Sequence, residues 1–227
     1  MPIPTQPPPR GEETRAALVA AALKLLGDKG FEAASTREIA AEARVNIAMI
    51  AYHFGGKEGL RAACADFVAG RMREIFAAAG PVRAKTPAEA RAALAALVHA
   101  LIVGVVADEA ARPLARFLLR ELSEPSPAFT RIFETALAPL HTRACALWAL
   151  ATGGGAESVA TRLSVFAMLA QIVYFRIARA PVLMRLGWSE IGPAEAAAIE
   201  SVVIANLEAS LDAARIDSES VRRRTLD

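Results

Sequence analysis

Apolar residues recur every three to four positions along nearly the whole chain, and no stretch sustains the alternation of a half-buried strand. The pattern predicts an all-α fold. A first helix spans 12–29, with Leu18, Ala22, Leu25 and Leu26 on one face and Gly30 as its stop. A second spans 36–43, where Ser35 and Glu38 stand at capping-box spacing, so that each side chain can satisfy a free amide of the helix end. A third, short helix spans 47–54, capped by Asn46 and stopped by Gly55 and Gly56. A long helix over 57–79 leads into the loop "GPVRAKTP" (80–87). Five more helices follow, at 88–107, 109–123, 127–151, 157–179 and 194–214, punctuated by "EPSP", "TGGGAE" and "GWSEIGP". There is no internal repeat.

These elements divide the chain into an arm (1–11), a three-helix helix-turn-helix domain (12–56), a larger helical domain (57–215) and a polar tail (216–227). Five prolines in the first nine residues make the arm stiff and unpacked, and it is expected to be disordered. It lacks the charged start and apolar core of a signal peptide. A hydrophobic fraction of 54% excludes a disordered chain, and the Ala-rich, aromatic-poor composition favours closely packed helices. Two distant cysteines, Cys64 and Cys145, offer neither a disulfide framework nor a Cys-rich metal site, which fits a reducing cytoplasm. The run "AALAALVHALIVGVVA" (92–107) is short for a membrane span and is read as a buried helix, with His99 a core residue.

Net charge is only +2, and residues 10–61 carry eight Lys/Arg against seven Asp/Glu. A case for nucleic acid therefore rests on where the charges sit. Two short helices joined by a three-residue turn after a longer helix form a helix-turn-helix, whose second short helix enters the DNA major groove. At about 100° per residue, Ile50, Phe54 and Ile47 share the face expected to pack on Leu25, Ile39 and Val45. Ala48, Tyr52 and Met49 lie opposite, with His53 at the edge. Ala48 and Met49 suit thymine methyl groups. Tyr52, His53 and Lys57 suit phosphates, which orient a protein without reading sequence. Arg37 is the best placed for a strong base or phosphate contact.

Residues 12–60 resemble the DNA-binding domain of the TetR family of bacterial repressors. The matching segments are "ALKLLGDKGFEAASTREIAAEA", the turn into "VNIAMIAYHF", and "GGKEGL". The resemblance implies DNA contacts at Thr36, Arg37, Asn46, Ile47, Ala48, Met49, Tyr52, His53 and Lys57. Two positions depart from the family pattern. Arg44 stands where Gly is frequent, so it is expected to take a left-handed backbone and to add a phosphate contact. Ala51 stands where Tyr is frequent, so the backbone contact that the resemblance implies at that position is not carried over. The C-terminal part is similar to the CecR-like branch of the family, through "RELSEPSPAF", "PLHT" and "LMRLGW". That resemblance implies a ligand-responsive repressor, not an enzyme. It would bind a near-palindromic operator as a homodimer, often next to genes for export or drug tolerance, and be released by a small-molecule effector.

Helix 157–179 is apolar on both sides. Leu163, Phe166, Ala170, Val173 and Ile177 form one stripe, and Val165, Leu169 and Ile172 another. Such a helix must be covered twice. A second copy would cover one side, joined by Val203, Leu207 and Leu211 of the last helix in a four-helix interface. A ligand pocket is expected from Phe117, Arg120, His141, Trp148, Gln171, Tyr174 and Phe175, which combine aromatic walls with a few polar groups. Ordinary core packing explains the same residues equally well, and His141 suits either a cap or a cavity wall. The three His are too scattered to specify a metal site, and no cofactor motif is present; "GGKEG" lacks phosphate-loop spacing. No membrane partner is expected. Two rival classes remain at this stage: a helical small-molecule carrier or enzyme with a relict head, and a protein-binding adaptor.

Overall fold

The computed structural model describes the backbone of residues 10–80 and 84–226 and the side chains of 11–80 and 84–216. Most of the expected arm and the side chains of the expected tail past Ile216 lie outside these. Among the described residues there is no strand. The chain forms two compact units. One gathers the chain up to Gly70 with Arg112–Thr135; the other gathers Arg71–Ala111 with the chain from Ala136. The expected division after residue 56 therefore falls inside the first unit, because helix 57–78 is continuous and the segment 112–135 packs with the N-terminal helices.

The first unit holds α1 (Arg10–Lys29), α2 (Thr36–Glu42), α3 (Ala48–Phe54), the start of α4 (Lys57–Ala78), α6 (Arg112–Ser123) and α7 (Pro127–Ile132). Its helix starts follow from local chemistry. Ser35 Oγ accepts the Glu38 amide at 3.2 Å while the Glu38 carboxylate accepts the Ser35 amide at 2.9 Å, closing the capping box. Leu18, Ala22 and Leu26 of α1 are buried, as the periodicity predicts, with Ile39, Ile50, Leu60, Cys64 and Phe117. α6 packs extensively on α1, which also contacts α2 and α3.

The second unit holds the end of α4, α5 (Pro87–Leu101), α8 (Ala138–Thr152), α9 (Val159–Ile177), α10 (Arg179–Leu186) and α11 (Pro193–Leu226). Leu94, Val98 and Leu101 of α5, Ala144, Leu147 and Trp148 of α8, Val165, Met168 and Ile172 of α9, and Val203, Leu207 and Leu211 of α11 form one core. Thr86 and Glu89 cap α5 with a second capping box, and Pro87 fills the first turn, where its missing N–H costs nothing. Pro87–Ala107 and Val159–Ile177 are long and apolar enough to cross a membrane by length and composition. In this fold the first of them places its apolar face in the core.

Three expected helices differ in detail. Helix 88–107 relaxes into a wider π turn at Ile102–Ala107, where Gly104 meets α4 so closely that a Cβ would fall 2.7 Å from Ile75 Cγ1. Helix 127–151 widens likewise at Phe133–Leu137, just before Pro139, which has no N–H for a regular ladder. The last helix continues to Leu226, past the expected end at 214 and through the backbone of the expected tail. α10 was not anticipated; its Pro181 lies in the first turn, where a proline is tolerated. His99 is exposed rather than buried, with Nδ1 2.9 Å from Glu200 of α11, because it sits on the polar edge of α5.

Candidate nucleic-acid interface

The short helix α3 is fixed at both ends. At its entry, the Arg44 N–H donates to the Ala41 carbonyl at 3.1 Å and the Val45 N–H to the Ala40 carbonyl at 3.0 Å. These two bonds are a Schellman turn, which requires a left-handed residue between them. Arg44 supplies it at φ 56°, the only positive φ outside glycine among the described residues. Asn46 Oδ1 accepts the Ala48 amide at 2.8 Å and so caps the helix. At the exit, Gly55 is left-handed at φ 72°. Gly59 then lets α4 begin against the end of α3: a Cβ there would stand 1.8 Å from the Phe54 carbonyl oxygen. The "GGKEGL" segment is therefore a geometric joint between the two helices.

Ile50 is the one fully buried residue of α3, and Phe54 is half-buried with the Arg15 guanidinium 5.3 Å from its ring centre. Ile47 does not pack inward as expected; it is 49% exposed. A seven-residue helix anchors itself through its middle, and Ile47 precedes that anchor by a turn. Ile47 thus joins Ala48, Ala51 and Tyr52 on the outer surface, with Met49 half-buried beside them. Tyr52 is 78% exposed, and His53 meets its ring edge-on at 4.9 Å.

The even charge balance resolves in space. Lys24 pairs with Glu42 at 2.5 Å and Lys29 with Glu38 at 2.6 Å, so these cations are compensated. Arg37, Arg44 and Lys57 have no acidic partner among the described residues. Thr36 opens α2 next to Arg37, half-buried. The Lys29 hydrogen bond, then the Ser35 amide and hydroxyl, hold the Glu38 carboxyl down at about 2.

A group of residues that sequence reasoning passed over lies beside Lys57. Its ammonium sits 4.3 Å from the ring centre of Phe31, in the turn after α1. The Arg61 guanidinium lies 4.5 Å from the same ring. Arg61 also donates through Nε and Nη2 to both oxygens of Glu121, at 2.8 and 3.0 Å. Glu121 is 3% exposed and accepts the Ser126 hydroxyl as well. The i,i+4 spacing of Lys57 and Arg61 was visible in the sequence; the distant Phe31 and Glu121 were not.

The other expected sites fare unevenly. On α9, Leu163, Phe166, Ala170, Val173 and Ile177 are all exposed, and Val159 continues the stripe. Val203, Leu207 and Leu211 require correction: they are at most 2% exposed, in the core of their own protomer, because α11 turns that face toward α5 and α8. The expected pocket residues are divided between the two units. In the first unit, Phe117 is core, and Arg120 donates to the Gly27 and Asp28 carbonyls. In the second, Trp148 is core, Phe175 is a half-buried residue at the margin of that core, and Tyr174 is 58% exposed. Gln171 Oε1 accepts from Asn206 at 2.9 Å, and His141 stacks on Phe166 at 4.0 Å with Cys145 Sγ 3.6 Å from its Nδ1. An open cleft of about 390 Å³ in the second unit is lined instead by Ala84, Arg143, Ala146, Leu147 and Leu150. Among the described residues no group of His, Cys, Asp or Glu could hold a metal ion. Burial pushes the Cys64 thiol up to about 12 and raises that of Cys145, so neither presents a thiolate.

Residues 18–64 match the family model of the tetR family of bacterial regulatory proteins. Residues 90–214 match that of the C-terminal domain of the HTH-type transcriptional dual regulator CecR. Over 205 residues the chain is 31% identical to the HTH-type transcriptional dual regulator CecR of Shigella flexneri, covering 88% of this chain and 92% of that protein. It is 49% identical over 59 residues to the HTH-type transcriptional regulatory protein RaaS of Mycobacterium tuberculosis, covering 26% and 27% of the two chains. The fold is similar to a TetR-family transcriptional regulator from Streptomyces coelicolor, with a TM-score of 0.64 at 16% identity over 90% of this chain and 97% of that one. The capped, two-ended clamp on α3 and the match along both parts of the chain lead to one conclusion: this chain belongs to the TetR family of bacterial transcriptional regulators, a DNA-binding and non-enzymatic class, in the branch marked by the CecR C-terminal domain.

Proposed function

We propose that the protein is a homodimeric, cytoplasmic repressor that binds a near-palindromic operator and is released by a small-molecule effector. The observation that carries this reading is the outer face of α3, flanked by cations left without acidic partners. Thr36, Arg37, Asn46, Ile47, Ala48 and Met49 are the proposed groove contacts. Arg44, Tyr52, His53 and Lys57 are the proposed phosphate contacts. So apolar a reading helix recognises thymine methyls and DNA shape more than hydrogen-bond patterns.

The dimer reading rests on the α9 stripe. Val159 is 67% exposed, Leu163 62%, Phe166 55% and Ile177 56%. A contiguous apolar stripe of this kind is costly in water and marks an interaction surface. Two-fold packing sets the stripe against itself. The outward residue of α11 that can join it is Val202, in place of the three buried ones, since Asn206 one turn on already bonds to Gln171 of α9. An effector in the larger unit would change the separation of the two reading heads. A typical coupling of about 1–3 kcal/mol weakens DNA binding about 5–150-fold.

Sedimentation of the wild type and of Leu163→Glu tests the assembly. The wild type is expected to be a dimer, and the variant a folded monomer with weakened operator binding. A monomeric wild type that still protects an inverted repeat at full affinity would remove the dimer from the account.

A further inference from the structure

We propose that Phe31 is a positioning residue for DNA binding: its ring face holds the Lys57 ammonium ready for a backbone phosphate. The inference rests on the reading of Lys57 as a phosphate contact. A lysine head on a four-carbon stem loses rotamer freedom when it engages a phosphate. Holding the head beforehand lowers that cost. A carboxylate is one way to hold it, as Glu42 holds Lys24 here. A carboxylate, however, cancels the charge the phosphate needs. The electron-rich face of an aromatic ring attracts the cation without neutralising it. Lys57 sits 4.3 Å from the Phe31 ring centre and has no acidic partner among the described residues.

The ring is itself held in place. Arg61 lies over it at 4.5 Å, and Arg61 is fixed by two hydrogen bonds to Glu121. The Arg61 side chain is 16% exposed and that of Glu121 only 4%, so the pair cannot exchange freely with water. Glu121 is held in turn by the Ser126 hydroxyl, which also accepts the Ala128 amide at 3.1 Å and caps α7. The chain of contacts Ser126, Glu121, Arg61, Phe31 runs within the first unit and ends at the Lys57 ammonium.

The test replaces Phe31 with a series of increasingly fluorinated phenylalanines, in the full-length wild type and in Lys57→Ala. Fluorine drains the ring face of electron density while nearly keeping its shape. Binding to a short duplex of mixed sequence is measured across a salt series, since a phosphate contact is blind to sequence. Melting temperature is measured alongside to confirm folding. Lys57→Ala should weaken binding and flatten the log–log salt slope by about 0.9. In the wild type, affinity should fall stepwise with fluorination, by a total of about 2- to 30-fold. In Lys57→Ala the same series should be flat. A flat series in the wild type, or an equal decline in both backgrounds, overturns the role of Phe31 while leaving Lys57 as a phosphate contact. An unaltered salt slope in Lys57→Ala removes that contact, and the proposal with it.

Discussion

Replacing Arg44 with Gly should raise stability and weaken DNA binding at once. Arg44 is the left-handed residue of the Schellman turn that joins α2 to α3, at φ 56°. A side chain in that region costs about 1–2 kcal/mol relative to glycine. Glycine loses about 0.5–1 kcal/mol of extra backbone entropy on folding. The difference favours the variant by up to about 1.5 kcal/mol. For a chain of this size that raises the melting temperature by about 2–4 °C per kcal/mol. Arg44 is exposed and without an acidic partner among the described residues, so little packing is lost. On DNA, the loss of one phosphate contact flattens the salt slope by about 0.9. Thermal melting and salt-dependent binding of one preparation read both effects. A lower melting temperature would show that the Arg44 side chain stabilises the turn by more than its backbone strains it. A raised melting temperature with an unchanged salt slope would keep the strain argument and remove Arg44 from the DNA contacts.

Three further outcomes follow from the geometry. Arg37→Ala should relax sequence choice, whereas Lys57→Ala should weaken matched and scrambled sites alike; equal losses from both variants on both DNAs would contradict this division. Gly59→Ala drives a methyl to 1.8 Å from the Phe54 carbonyl oxygen, so α3 and α4 must separate; DNA binding should be lost with a lowered melting temperature, and an unperturbed variant would refute the joint. Glu38 is depressed in the folded protein, so its stabilising contribution is present above its unfolded value and is lost as pH falls toward about 2. Protection of the Ser35 amide, its exchange measured relative to the intrinsic rate at each pH, should therefore fall between about pH 4.5 and 2 in the wild type, and lose that dependence in Glu38→Gln.

What the sequence made legible was local. The Ser35–Glu38 box, the Asn46 cap, the glycine stop after Phe54 and the left-handed Arg44 are each specified by residues within a few positions of one another. What it hid depends on partners far along the chain. On α11, Val202 and Val203 are adjacent and equally apolar, yet one is 56% exposed and the other 1%, because α5 and α8 choose which face they cover. In an Ala-rich helix the stripe is too weakly marked for periodicity to decide. The same holds for Trp148: an aromatic residue with a polar neighbour reads alike whether it lines a cavity or fills a core, as this one does. Phe31 acquires its role only when α4 brings Lys57 and Arg61 over it, 26 and 30 positions later in the chain.

The central claim is that α3, though it carries no long polar side chain apart from Tyr52 and His53, reads a two-fold DNA site. Selection of genomic fragments on the purified protein at physiological salt, followed by footprinting, tests it most directly. The account predicts an inverted repeat with two protected half-sites about one helical turn apart, bound in the range of about 10⁻⁸–10⁻¹¹ M. Only weak binding that salt erases and that ignores sequence would contradict it.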